Sequence, residues 1–381
     1  MSSQPSPIAA ASAVSARGVR PQDARLHHRA LVLSLVRRHP DSSRADLARL
    51  TGLSRVAISE VVAKLIDDGI VGEHGQNRKR GPGAPARALH IQGDARHVVT
   101  VAISSADTVE GAVFDLNGTL VSAVSEPRNG AVGKDALLAL DRMLQQLLAT
   151  AEAPILGIGI SASGIIDTQG IVRSSSHLEW ESLRLREHIE ARTGLPVSVT
   201  NGVTAIGVAE VASGAAPDDL FLIRVGNGVG AVTIVNGAVV HGTNGIAGEF
   251  GHVIVDPSSD QLCQCGRRGC LEAVLAVPGL RARLAAASSA DARSQVLQDA
   301  GHALGTALAP VVTALGLANV AISGPADLLD GTLLAACRST LDARLFNVVA
   351  QGLQVRMAES DESARLRGVF AIVISKELGI A

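Results

Sequence analysis

Gly248-Glu-Phe-Gly-His252, ten further residues, then Cys263-Gln-Cys-Gly-Arg-Arg-Gly-Cys-Leu-Glu272: this stretch holds three of the four cysteines in the chain. His252, Cys263, Cys265 and Cys270 make a donor set of one imidazole and three thiols. Four such donors suit one tetrahedral Zn²⁺ with no coordination position left open, the pattern of a metal that braces a loop and does no chemistry itself. A glutamate stands at each end, Glu249 and Glu272, and a braced loop would hold both in place. The remaining cysteine, Cys337, falls in an apolar helical stretch and reads as a packed thiol. Clustered cysteines of this kind argue for a reducing compartment and a metal, not for a disulfide framework.

Working outward, 381 residues suit two or three domains. Hydrophobic residues make up 47% of the chain, enough for large interiors. No uninterrupted apolar run reaches the roughly 18–20 residues of a membrane span. Residues 1–20 are rich in Ser, Ala and Pro without a continuous apolar stretch, so they read as a disordered arm, and the protein is expected to be cytoplasmic. With no tyrosine, one tryptophan (Trp180) and five phenylalanines, the chain is poorly equipped to stack single-stranded bases. The net charge of −2 hides a division. Residues 1–93 carry 14 Lys and Arg against 7 Asp and Glu, whereas residues 94–381 carry 20 against 29. A basic module on an acidic body predicts that the module alone meets a polyanion.

That module, residues 21–93, reads as three helices and a wing. Apolar spacing predicts a helix over Gln22–His39 with Leu26, Ala30 and Leu33 inward. Ser43 caps a short second helix, Arg44–Thr51, with Asp46 completing a capping box. Gly52-Leu-Ser54 turns the chain, and Ser54 caps a third helix, Arg55–Asp68, whose buried face is drawn from Val56, Val61, Val62, Leu65 and Ile66. This is the helix-turn-helix pattern. Ile70–Glu73 and Ala88–Ile91 would be short strands around the basic loop Asn77–Arg87. The third helix would enter a major groove, with Arg44, Ser54, Arg55, Ser59 and Lys64 facing the duplex. Arg78, Lys79, Arg80 and Arg87 would meet phosphates or a minor groove. The expected partner is double-stranded operator DNA, bound by a homodimer or a tetramer.

From Asp94 onward strands and helices mix. Strands are expected at Val98–Ile103, Val109–Leu116, Leu120–Val124, Ile155–Ser161, Val197–Thr200, Leu220–Val225, Ala231–Val235 and Val320–Ile322. Helices are expected near Lys134–Ala149, Leu183–Thr193 and Val203–Ser213, and over much of Leu271–Leu317. Hairpins combined with βα units predict an α/β body of two lobes with a cleft between them.

Gly226-Asn-Gly-Val-Gly230, Asn236-Gly237, Gly242, Gly245–His252 and Cys263–Glu272 together resemble the signature and zinc loop of the ROK family (repressors, open reading frames, kinases). Gly157–Asp167, Leu195–Asn201 and Arg365-Leu-Arg-Gly368 resemble further segments of it. The N-terminal module is similar to that of the family's regulators, of the N-acetylglucosamine and xylose repressor type. The resemblance spans nearly all of the chain from about residue 22. It implies an actin-like, sugar-kinase-like body. Its first lobe would take in about 94–200 and a C-terminal helix near 365–381, and its second lobe about 201–364, with the zinc loop at 252–270. It also implies a sugar or sugar-phosphate effector held by Asn201, Glu249, His252 and Glu272. Carboxylates accept hydroxyl hydrogen bonds, and His252 has one nitrogen for the metal and one for the ligand. Asn201 has a competing reading as a helix cap.

The pattern breaks where the family's kinases do chemistry. They carry an aspartate after the asparagine to deprotonate the sugar hydroxyl; here that position is Gly202. A general base is worth about 10²–10⁴-fold in rate. The phosphate loop of those kinases corresponds to Ile103-Ser-Ser-Ala-Asp107, without paired glycines, and their adenosine-site Gly-Gly reads Ser323-Gly324. The expectation is a repressor of carbohydrate genes, with kinase catalysis absent and no ATP bound. Two alternatives stand beside it: a ligand-blind dimeric DNA-binding protein, and a sugar kinase with an added DNA-binding module.

Overall fold

The computed structural model describes residues 21–75, 87–104, 107–359 and 363–380. The expected arm at 1–20 lies outside them. The chain divides into two compact units: residues 1–91 with Leu378–Ile380, and residues 92–377.

In the first unit, α1 (Pro21–Arg38), α2 (Arg44–Thr51) and α3 (Arg55–Asp67) precede the antiparallel strands β1 (Val71–His74) and β2 (Ala88–Ile91). Short-range chemistry sets the boundaries. The Ser43 hydroxyl accepts from the Asp46 N–H while the Asp46 carboxylate accepts from the Ser43 N–H, closing a capping box. Gly52 ends α2 at φ 71°, a left-handed conformation that suits glycine. The core is Val32, Leu33 and Val36 of α1, Leu47 of α2 and Ile58, Val62 and Leu65 of α3. The sequence reading differs here. Val56 is 67% exposed, because the inward stripe of α3 runs Ile58, Val62, Leu65 and leaves position 56 on the opposite face, and Leu26, before the buried Val32, Leu33 and Val36 of α1, is 64% exposed.

The body begins with β3 (His97–Ile103), β4 (Thr108–Asp115), β5 (Leu120–Pro127), α4 (Gly133–Thr150) and β6 (Ile155–Ala162). A small antiparallel sheet follows, β7 (Ile165–Ile166), β8 (Val172–Ser175) and β9 (Trp180–Leu183), then α5 (Leu185–Thr193), β10 (Val197–Asn201) and α6 (Gly202–Ala212). Next come β11 (Leu220–Val225), β12 (Val229–Val235) and β13 (Ala238–Val239). Beyond the metal-ligand stretch lie α7 (Leu271–Leu275), α8 (Val277–Ala286), α9 (Ala290–Leu315), β14 (Asn319–Ser323), α10 (Ala326–Leu329), α11 (Thr332–Arg344), α12 (Asn347–Ala350), β15 (Gln354–Met357) and α13 (Ala364–Leu378). One five-stranded sheet runs β10-β6-β3-β4-β5 and the other β13-β12-β11-β14-β15.

Strand parity builds the layers. Ile158, Ile160 and Ala162 of β6 join the core with α4, while Gly157 and Gly159 face α13, where an added Cβ would crowd Val373 and Val369. In β11, Phe221, Ile223 and Val225 pack with α9, and Leu220 and Leu222 pack with Ile206 and Ala209 of α6. Helices α6 and α13 thus lie between the sheets. They meet at Gly368, where a Cβ would overlap the Ala205 carbonyl. Trp180 is 5% exposed beside α4, its Nε1 donating to the Gly133 carbonyl at 2.8 Å. Cys337 is fully buried, as a packed thiol should be, and burial pushes it up to about 12. Among the described residues no helix is long and apolar enough to cross a membrane.

Because the α6–α13 contact has no space for a methyl group, Gly368→Ala is expected to cost about 1–3 kcal/mol in chemical denaturation of the body. An unchanged midpoint would show that the contact is soft.

Candidate functional site

Two separate regions gather the residues of interest: one face of the first unit and a cleft within the body.

On the first unit, Ser54 caps α3, accepting from the Ala57 N–H at 3.1 Å, which leaves its hydroxyl proton to donate outward. Arg55 is exposed without an ion-pair partner among the described residues, and Ser59 is half-buried one turn on. Val56, one of the candidates for the buried face, stands exposed between them. The other cations are engaged. Arg44 and Arg87 share the Glu73 carboxylate at 2.8 and 3.2 Å. Lys64 pairs with Asp68 at 2.8 Å, and Asp68 also accepts from Arg29 of α1 at 2.6 Å. These hydrogen bonds, that of Lys64 first, hold the Asp68 carboxyl below the ordinary range. The Arg29–Asp68 bond ties α1 to the end of α3, and Lys64 supports that carboxylate from one turn back. Arg78, Lys79 and Arg80 lie outside the described residues.

The body contains a cleft of about 520 Å³, lined from both sheets. Ser161, Ser163 and Gly164 come from the end of β6, Asn201 and Gly202 from the start of α6, and Gly226–Ala231 from the turn between β11 and β12. Glu249, His252, Glu272 and Arg365 complete it. All four residues expected to hold a ligand are therefore brought to one cavity.

Its acidic side is built around the cysteines. Isolated bridges pair Ile254 with Cys270 and Leu262 with Arg268, folding the segment back on itself. Nδ1/Nε2 of His252 and the sulfurs of Cys263, Cys265 and Cys270 offer donor atoms all within 4.8 Å of one another. Cys265 and Cys270 sulfurs lie 3.7 Å apart, and Cys263 Sγ is 3.5 Å from His252 Nδ1. Tetrahedral bonds to zinc would set these separations at about 3.8 and 3.6 Å, so the donor set fits such an ion. Burial pushes the Cys263 thiol up to about 12, whereas the exposed Cys265 is lowered, chiefly by the Arg267 backbone N–H.

With Nδ1 turned to the sulfurs, His252 Nε2 faces Glu249 Oε2 at 3.7 Å. The Glu249 side chain is 44% exposed. Burial of the remainder holds its carboxyl above the ordinary range, opposed by His252 and reinforced by Glu272. Glu272 is occupied on both oxygens: Oε2 accepts from the Val229 N–H at 2.9 Å, and Oε1 lies 3.4 Å from Cys263 Sγ. Gly228 makes room for it, since a Cβ there would stand 2.7 Å from Oε2. Asn201 caps α6, its Oδ1 accepting from the Thr204 N–H at 2.8 Å, which leaves the amide NH₂ for the cleft. Arg224 and Arg365 also line the cavity. Sequence reading passed over both as site residues, although a lone arginine near the end of the apolar strand Leu220–Val225 was a signal.

A winged helix-turn-helix joined to a two-sheet α/β body with a carboxylate-lined cleft beside a His-Cys₃ cluster defines a regulator-like architecture on a sugar-kinase-like frame. Residues 104–376 match the ROK family, and residues 28–71 match a winged helix-turn-helix DNA-binding family. The chain belongs to the ROK family. It is 30% identical over 251 residues to a glucokinase of Halalkalibacterium halodurans, covering 57% of this chain and 76% of that protein. It is 24% identical over 363 residues to the xylose repressor of Bacillus subtilis, covering 90% and 94%. A solved ROK family transcriptional regulator, a homolog of the E. coli MLC protein, superposes with a TM-score of 0.81 at 24% identity, covering 94% of this chain and 98% of that one.

Since Asn201 caps α6, Asn201→Ala should cost about 1 kcal/mol of stability, whereas Asn201→Asp should retain most of it. Equal denaturation midpoints for the two variants would remove the cap from the account.

Proposed function

We propose that this protein is a sugar-responsive transcriptional repressor of carbohydrate genes. It acts in the cytoplasm as a homodimer that presents two winged units to a two-fold operator. The observation that carries the reading is Gly202. The cleft keeps an acidic wall suited to hydroxyl groups, yet the head of α6 has no carboxylate to deprotonate one. A cleft that binds without reacting suits a sensor. Effector binding need supply only about 1–3 kcal/mol of coupling to change operator affinity usefully.

In this reading Glu249, His252 and Glu272 hold the effector, with the free amide of Asn201 opposite. His252, Cys263, Cys265 and Cys270 hold one structural Zn²⁺, and the metal fixes the His252 tautomer through Nδ1. On the DNA side Ser54, Arg55 and Ser59 read the major groove, with Val56 available to a thymine methyl group. Arg44 and Arg87, positioned by Glu73, reach the phosphates with the wing's Arg78, Lys79 and Arg80.

A gel-shift titration with the DNA upstream of the protein's own gene tests the central claim. Specific retardation should appear at low salt, and Arg55→Ala should weaken it by about 1–3 kcal/mol. Failure of the wild-type protein to retard any such fragment at low salt sinks the reading.

The metal assignment has its own measurement. Elemental analysis should find about one zinc per chain, and Cys265→Ser should reduce it and blunt the effector response while leaving operator binding intact. Full effector affinity in zinc-free protein would contradict the bracing role. The glucokinase relative keeps a kinase reading in view. ADP release above background with a hexose, lost in Glu249→Ala, would establish catalysis; none is expected.

A further inference from the structure

The cleft has a second wall of opposite charge. Along β11, Leu220 and Leu222 face α6. Arg224 takes the next position on that face and projects toward the cavity it lines. Along β6 the same parity takes Gly157 and Gly159 to Ser161, also in the lining. Arg365 arrives from the first turn of α13 and passes the head of α6. A Cβ on Gly202 would stand 3.5 Å from Arg365 Cδ and 3.7 Å from Ser161 Oγ. Arg365 and Ser161 therefore meet the start of α6 where Gly202 leaves space, and Arg224 lines the same cavity near enough to feel the Arg365 charge.

The charges there do not balance among the described residues. Arg365 Nη2 bonds Glu110 at 3.1 Å, but its Nε is buried with no hydrogen-bond partner. Arg224 Nη1 donates to the Val225 carbonyl at 3.1 Å, and no carboxylate among the described residues lies within ion-pair distance of it. Burial, and then the neighbouring charge of Arg365, push the Arg224 guanidinium below its ordinary value. A half-buried guanidinium beside a second one is costly unless an anion joins them. A neutral sugar on the acidic wall would leave that cost in place.

We propose that Arg224, Arg365 and Ser161 form an anion subsite in the cleft, and that the effector is a monosaccharide bearing an anionic group, a phosphate ester or a carboxylate. This rests on the reading of the cleft as the effector site. Glu249, His252 and Glu272 take the hydroxyl groups on one wall while the guanidinium groups take the charge on the other. Charge-assisted, fork-shaped hydrogen bonds from arginine suit both anions.

Calorimetry on the full-length protein tests this with matched ligands: glucose, glucose 6-phosphate and glucuronate, then N-acetylglucosamine and its 6-phosphate, with inorganic phosphate alone. An anionic member should bind at least about tenfold more tightly than its neutral counterpart. The preference should fall with added salt, and the phosphate and glucuronate arms identify which anion fits. Arg224→Met should abolish the preference and Arg224→Lys should retain part of it, while Glu249→Gln should weaken neutral and anionic sugars alike. Should Arg224→Met fail to fold, the salt dependence in the wild-type protein decides. Neutral sugars binding as tightly as charged ones would overturn the subsite and leave the sugar-sensor reading standing. No binding by any sugar or by phosphate would overturn both.

Discussion

The Glu272 carboxylate joins three parts of the body that are separate in sequence. It sits in the first turn of α7, two residues after the last of the clustered cysteines. One oxygen receives the Val229 N–H at 2.9 Å, and the other lies 3.4 Å from Cys263 Sγ. The bond to Val229 sets the glycine turn between β11 and β12, and Gly228 must lack a side chain for the carboxylate to reach it. Anything that moves the thiols therefore moves the start of α7, and through Glu272 it moves the rim of the cleft. A buried Cys263 thiol raised to about 12 is poorly disposed to ionise alone, so a cation among the four donors would do more than fill space. It would fix the charge state of the segment on which the cavity's acidic wall depends.

The layering explains why that wall and a basic one line the same cavity. Helices α6 and α13 are pressed together between the sheets by glycines at 157, 159 and 368. Their N-terminal ends open onto the same cavity, so Gly202 and Arg365 are neighbours although they lie far apart in the chain. Position 202 has no side chain, so no carboxylate there meets the Arg365 charge, which is left to Glu110.

What was legible in the sequence was mostly local or compositional. Ser43 with Asp46, and Ser54 ahead of Arg55, mark helix starts because capping needs only neighbours three residues apart. The histidine and cysteines were legible because their donor types stand at short spacing, and the fold brings all four together. The strands β11 and β14 showed as apolar runs. The small sheet β7–β9 did not, since its strands are only two to four residues long and carry no clear alternation. Hydrophobicity alone leaves Val56 a candidate for the buried face; the stripe through Ile58, Val62 and Leu65 decides which face is inward. Arg44 looked like a free surface cation because its partner Glu73 is brought near only by folding, whereas the Lys64–Asp68 pair is a local i,i+4 spacing that the predicted helix already implies. The pairing of Arg224 with Arg365 has the same origin: only tertiary structure brings a strand end and a helix start together.

Trp180 is the sole tryptophan, and the chain has no tyrosine. The indole is buried in the body, its N–H tied to the Gly133 carbonyl, three residues beyond a cleft-lining histidine, His177. The protein therefore carries a single intrinsic fluorophore, and it resides wholly in one of the two units. Emission excited at the red edge of the indole band is blind to the DNA-binding unit. The unit that meets the operator can melt in optical silence while the body, and any ligand within it, reports from one known address.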